Sequence, residues 1–205
     1  MKNTYENVYE IDGMVPVISD KAYIHDSAVV IGDVIIEEGV YIAPLVSLRG
    51  DLGRIVIKKN SNIQDNCVVH GHPSFDTIIG EEAHIGHCAV IHSCVLEQNV
   101  LIGINAVILD KAVVGENSVV GANSLVTYGT QIPKNSMAFG SPAKVVKQLQ
   151  DKQIEHKNLG TRFYKELVIR SKNTMKKTQP LKQVQENRPR YQSPLIELWE
   201  TSSYS

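Results

Sequence analysis

The 205-residue chain is poor in large rings, with one tryptophan, three phenylalanines and 6% aromatics overall. A core of packed aromatics is therefore excluded, and aliphatic side chains must fill the interior. Cysteine is scarce too: Cys67, Cys88 and Cys94 are odd in number and irregular in spacing, which excludes a disulfide framework and leaves reduced thiols as the expectation. Charge of neither sign dominates, since 21 Lys and Arg face 22 Asp and Glu. That balance offers no basic face for nucleic acid and no acidic tail. No apolar run approaches the roughly 18 residues needed to span a bilayer. The opening MKNTYENVYEIDG is polar where a signal peptide carries an apolar stretch. The expectation is a cytoplasmic protein with neither membrane nor nucleic acid as partner.

What the sequence does have is a period. Ile24, Val30, Ile36, Ile42 and Leu48 stand six apart, as do Ile57, Ile63 and Val69, and Ile79, Ile85 and Ile91. After one five-residue step the pattern resumes through Ile102, Ile108, Val114, Val120, Val126 and Ile132. Gly often follows the aliphatic (Gly80, Gly86, Gly103, Gly115, Gly121), and four residues after it stands a small or β-branched side chain such as Ala28, Ala83 or Ala106. A period of six is neither helical nor that of isolated strands. It predicts a short strand that turns a corner every six residues, three of which close a triangular coil of about 18 residues stacked at about 4.8 Å. Gly and Asn are expected at corners that need positive φ or close backbone approach. A β-sandwich would show irregular strand lengths and hairpin signals instead.

The period ends near Ala138, so residues 1–140 read as the repeat domain. Residues 141–175 read as C-terminal helices: Ser141 would cap the first with Pro142 in its first turn, and Gly160-Thr161 would divide it from a second. Residues 176–205, punctuated by Pro180, Pro189 and Pro194, read as an extended polar tail.

The period also gives every histidine a phase. His70 follows Val69 and His92 follows Ile91, so both sit one step past an inward aliphatic. Their 22-residue separation is one coil plus four, and the stretch 71–76 can hold the excess as a protruding loop. They should be vertical neighbours. His87, two past Ile85, lies on the preceding corner of His92's coil, on the order of 15 Å away. It could meet the pair only from a neighbouring copy in a threefold assembly. Zinc in catalytic sites takes three protein ligands plus water, and three imidazoles supply such a set. Lone histidines are more often surface or satisfied polar residues, and His25, His72, His84 and His156 are read that way.

Arg49-Gly50-Asp51, then Asn62-Ile63-Gln64-Asp65-Asn66, then His70, then His87 with His92 five later, resemble the γ-class carbonic anhydrases over roughly residues 10–145. The resemblance implies a left-handed parallel β-helix, a homotrimer, and Zn2+ held by His70, His87 and His92 at subunit interfaces, with Fe2+ or Co2+ as other occupants of an imidazole set. It implies that Arg49 and Asp51 link subunits near the site, that Gln64 contacts solvent on the metal, that Asp65 is a buried ordering partner, and that Asn62 belongs to the same motif.

The stretches SLRGDLGRI, NIQDNCVVHG, HIGHCAVIHSC, GSPAKVV, GTRFYKELVIRSK, TQPLKQV and ENRPR extend a likeness to residue 191, toward the PaaY and CaiE groups of hexapeptide-repeat proteins. That likeness implies hydrolysis of acyl-CoA thioesters in phenylacetate or other aromatic catabolism. Alternatives are hydration of CO2 to bicarbonate, a non-catalytic accessory role in a CoA-linked pathway, and hexapeptide acyl transfer. Leu52, Pro73 and Ser74 stand where the prototype carbonic anhydrase carries acidic proton-shuttle residues, which moves the expected substrate from CO2 toward a thioester. Tyr164 is a further candidate to reach the site from the terminal segment.

Overall fold

The computed structural model describes residues 5–202. The six-residue period folds into a parallel β-solenoid of about seven turns, as the sequence predicts. Each coil has three edges, and the inward aliphatics stack in three columns. Val30, Leu48, Val69, Ile91, Ile108 and Val126 form the first, in register through successive parallel pairings. Ile36, Ile57, Ile79, Leu96, Val114 and Ile132 form the second. Ile24, Ile42, Ile63, Ile85, Ile102, Val120 and Ala138 form the third. Nearly all are fully buried. Leu96 fills the second column at the five-residue step. The columns explain the shortage of rings: a triangular interior one side chain deep holds branched aliphatics and small partners, not aromatics.

Corners divide the labour between Asn and Gly. Asn60, Asn66, Asn99, Asn105, Asn117, Asn123 and Asn135 take positive φ, which Asn tolerates better than most residues. Their amides form ladders one coil apart, Asn99 to Asn117 at 2.8 Å and Asn117 to Asn135 at 3.0 Å. Gly103 serves the other need. A Cβ there would come within 2.4 Å of Ala122 N, so only glycine lets adjacent coils pass.

Past the solenoid the structure departs from expectation. Residues 143–148 do not begin a helix; Ala143–Gln148 is a strand antiparallel to Ser136–Gly140. The last coil leaves an open sheet edge whose unpaired backbone groups are satisfied by the returning chain, and Gly140, at φ 103°, makes the turn. The helix α1 (Asp151–Thr174) starts later, with a capping box between Gln150 and Gln153. It runs unbroken through Gly160-Thr161, where two helices were expected. The reason is docking. Lys157 donates to Asn99 O and Oδ1 at 2.6 Å each, Lys165 pairs with Glu82, and Lys172 bonds to the carbonyls of Asp20 and Ala22. Fifteen helical residues span about 22 Å, and the four coils from Asn99 down to Asp20 span about 19 Å. One helix thus ties down the solenoid edge from Asn99 to Asp20. A second helix, α2 (Leu195–Thr201), lies in the tail and sets Trp199 against His156 and Phe163. The rest of the described tail lacks regular structure and is mostly exposed; the tail's last residues, 203–205, lie outside the described residues. No helix among the described residues is long and apolar enough to cross a membrane.

Candidate metal centre

The phase count places His70 and His92 correctly. Arg49, His70 and His92 pair in register on three successive coils, pointing outward from the first face. The loop 71–76 absorbs the four extra residues. His70 Nδ1 lies 3.3 Å from His92 Nε2. Each ring is held from behind by a carboxylate: His70 Nε2 is 3.0 Å from Asp51 Oδ1, and His92 Nδ1 is 3.0 Å from Asp110 Oδ2. Asp51 also takes Arg49 Nε at 3.4 Å, so within the chain Arg49 and Asp51 pair with each other.

Each neutral imidazole carries one N–H and one lone pair. If both rings give their N–H to the carboxylate behind, the facing nitrogens present two lone pairs at 3.3 Å. That arrangement is repulsive unless a proton or a metal cation lies between. Two nitrogens bound tetrahedrally at about 2.05 Å would stand about 3.3–3.4 Å apart. The pair therefore fits a tetrahedral zinc, with carboxylates fixing the ring orientation from the second layer. In that state the 3.1 Å approach of Arg49 Nη2 to His70 Nε2 is a contact between two donors, and Arg49 acts through Asp51.

One chain does not complete a ligand set. No three His, Cys, Asp or Glu side chains among the described residues converge to hold a metal. His87 stands on another corner, its Nδ1 2.9 Å from Asp65 Oδ2. Asp65 was expected to be buried; its side chain is 40% exposed on the corner beneath His87, because the corner it occupies faces outward. Cys88 follows His87 and is exposed, while Cys67 and Cys94 are buried, free, and pushed up to about 12 chiefly by burial.

Gln64 and Asn62 are not brought to His70 and His92. They lie on the third face, one coil below His84, and are buried beneath α1. Gln64 Nε2 is 2.7 Å from His84 Nε2 and 3.1 Å from Asn62 Oδ1. Tyr164 of α1 sets its ring edge-on to His84, centroids 5.3 Å apart, and against Tyr41 at 5.5 Å. Burial, then the Lys157 ammonium and His87, hold His84 down to about 4, so it is neutral near pH 7. Lys157 is itself lowered to about 8, mainly by burial. By its lone position in the sequence His84 reads as an ordinary polar residue. The signal that would have found it is the one used for the metal pair: His84 stands 22 residues after Asn62, as His92 does after His70.

The bacterial transferase hexapeptide family (six repeats) matches residues 93–128. The carnitine operon protein CaiE of Escherichia coli O157:H7 is 47% identical over 184 residues, which is 90% of this chain and 94% of that protein. Among solved structures, an acetyltransferase candidate of Bacillus cereus is 34% identical with a TM-score of 0.79, covering 81% of this chain and 96% of the other. A hexapeptide transferase family protein from Anaplasma phagocytophilum is 33% identical with a TM-score of 0.77, covering 80% of this chain and 97% of the other. The likeness to these three extends over four fifths of the chain or more.

Proposed function

This chain belongs to the CaiE family of hexapeptide-repeat proteins, and from that premise we propose that it is a zinc-dependent hydrolase of acyl-CoA thioesters, built as a homotrimer with a site at each subunit interface. The observation that carries the reading is the pair of imidazole nitrogens facing each other at 3.3 Å with a carboxylate behind each ring. His70 and His92 of one copy and His87 of a neighbour would hold the metal. The first face supports the assembly. Val68, Val90, Val107 and Leu125 point outward along it, and Leu45 and Ile104 stand exposed on the corner that carries His87. Apolar side chains arranged as a continuous strip beside an incomplete ligand set suit burial against a second copy.

When bound, zinc supplies an acidified water, with a pKa of about 7, and Lewis acidity toward a carbonyl. The rest of the chemistry belongs to the chain. Asp51 and Asp110 hold the ligand rings in one tautomer. Gln64, next to Asp65 in the chain, orients a solvent molecule through its side-chain amide. Arg49, neutralised by Asp51, steadies that carboxylate. A thiolate leaves without full protonation, so hydrolysis of a thioester does not require the acidic relay that Leu52, Pro73 and Ser74 leave out. CO2 hydration does require rapid proton export, which favours the thioester.

A second reading, acyl transfer from a CoA thioester to an acceptor other than water, draws on the transferase hexapeptide match and the Bacillus cereus neighbour. One experiment separates the readings. Full-length zinc-loaded protein is assayed for free CoA release from a panel of acyl-CoA thioesters, with and without chelator and with and without amine acceptors, alongside CO2 hydration. Chelator-sensitive release in the absence of any acceptor is expected. Release that needs an acceptor and ignores chelator would replace hydrolysis with transfer.

A further inference from the structure

We infer that His84 is a positioning residue that fixes the Gln64 amide with its carbonyl oxygen, not its NH2, left free beside the corner residue Asp65; the functional consequence rests on the hydrolase reading above.

Gln64 Nε2 has two hydrogens, and two acceptors are in range: His84 Nε2 at 2.7 Å and Asn62 Oδ1 at 3.1 Å. A third contact, Asn62 Nδ2 to His84 Nδ1 at 3.3 Å, closes the triangle. A neutral imidazole has a single lone pair and cannot accept from both amides. The longest contact is the one to give up. His84 is then protonated on Nδ1 and accepts on Nε2. Turning the Gln64 amide alone would set its Oε1 within 3.1 Å of Asn62 Oδ1, a repulsion that neither tautomer of His84 relieves. With both hydrogens engaged, Gln64 keeps only Oε1, which accepts no hydrogen bond among the described residues. A solvent molecule there is bound through its hydrogen, leaving its lone pair free for a thioester carbonyl. An NH2 in the same place would occupy the lone pair instead.

The helix holds His84 in this pose. Tyr164 stands edge-on against the ring. Gly160 lies over the ring, where an added Cβ would stand 3.4 Å from His84 Cε1, in ordinary van der Waals contact. The ring is thus clamped between the sheet and two residues one helical turn apart.

The test begins with the full chain, 15N-labelled at histidine and metal-free, read by long-range proton–nitrogen NMR. The His84 ring is expected to be neutral, protonated at Nδ1, with a hydrogen-bonded Nε2. Gln64→Leu should move the Nε2 resonance and leave Nδ1 in place. A ring protonated at Nε2, or an Nε2 signal indifferent to Gln64→Leu, overturns the assignment. Kinetics supplies the second arm, with His84→Phe, Gln64→Ala and the double variant. Each single change is expected to lower kcat/KM for thioester hydrolysis about 10–100-fold with bound zinc per subunit unchanged. The double variant should be no worse than Gln64→Ala. Losses that multiply, or zinc lost with His84, would make the role merely structural. If the wild-type protein hydrolyses no thioester, the proposed reaction falls, and the tautomer measurement still decides His84.

Discussion

His70 and His92 stand one above the other on adjacent coils, Nδ1 of the first 3.3 Å from Nε2 of the second, each backed by its own carboxylate. If that spacing is set for a shared cation, the purified protein should carry one zinc per subunit by elemental analysis. His92→Ala should reduce this to a small fraction, since two imidazoles from different copies are a poor site. The substituted protein should still fold, because His92 is outward-facing. Full zinc retention by a folded His92→Ala protein would end the metal assignment.

Asp110 tests the layer behind the ligand. Asp110→Asn keeps the size but can turn its NH2 toward His92 Nδ1, releasing the ring from its tautomer. Metal affinity is expected to fall about 10–100-fold, read by competition with a chelating dye. Asp110→Ala should do at least as much. Unchanged affinity in both would mean that His92 does not need Asp110 to bind.

His84 makes a prediction about pH. Its folded value of about 4 lies below the ordinary histidine value of 6.5. Between these values the unfolded chain binds more protons than the folded one, so stability rises with pH across that window and is lost as pH falls from 6.5 toward 4. The loss is about 3 kcal/mol at most, from about 1.4 kcal/mol per unit. Denaturant unfolding of wild type and His84→Phe at pH 7, 5.5 and 4.5 should show a shallower decline in the variant. Parallel curves would mean that His84 is not held neutral by folding.

The sequence made the solenoid legible because one coil repeats the same packing problem. Ile85, Ile91 and Ile102 each face the same triangular interior, so phase carries from one to the next. The histidine pair was legible for the same reason, since phase survives a four-residue loop once the loop is subtracted. The C-terminal segment was not. Whether residues 143–148 pair with Ser136–Gly140 depends on an open sheet edge that only the assembled coils create. Whether Gly160 breaks a helix depends on what lies beneath it, and here it is His84. The partners of Gln64 escaped because the ordinary reading of a lone histidine is solvation, and His84 is covered only when α1 packs over it.

Asn117 measures what the corner ladder contributes. Its φ is 61°, and it accepts from Asn99 and donates to Asn135. Asn117→Gly keeps the backbone freedom and loses two side-chain bonds, each worth about 1 kcal/mol. Asn117→Val adds left-handed strain to the same loss, about 1–3 kcal/mol more. Denaturant midpoints should therefore order as wild type, Gly, Val. A Val variant as stable as Gly would mean that the corner conformation imposes no penalty.

Val68 separates the fold from the assembly. In the isolated chain it is 40% exposed on the outward side of the first face, on the coil of His70. A charge at such a position costs a lone subunit little, within about 0.5 kcal/mol for surface changes. In a trimer packed through this face, the same charge would be buried without a partner, at several kcal/mol per copy. Val68→Glu should therefore sediment as a folded monomer where wild type sediments as a trimer. Because the ligand set is completed only by His87 of a neighbour, the monomer should also lose its zinc, although all three histidines remain in the chain. A Val68→Glu protein that stays trimeric would move the interface off this face. A monomer that keeps full zinc would show that one chain can complete the site, and the shared-site arrangement would fall.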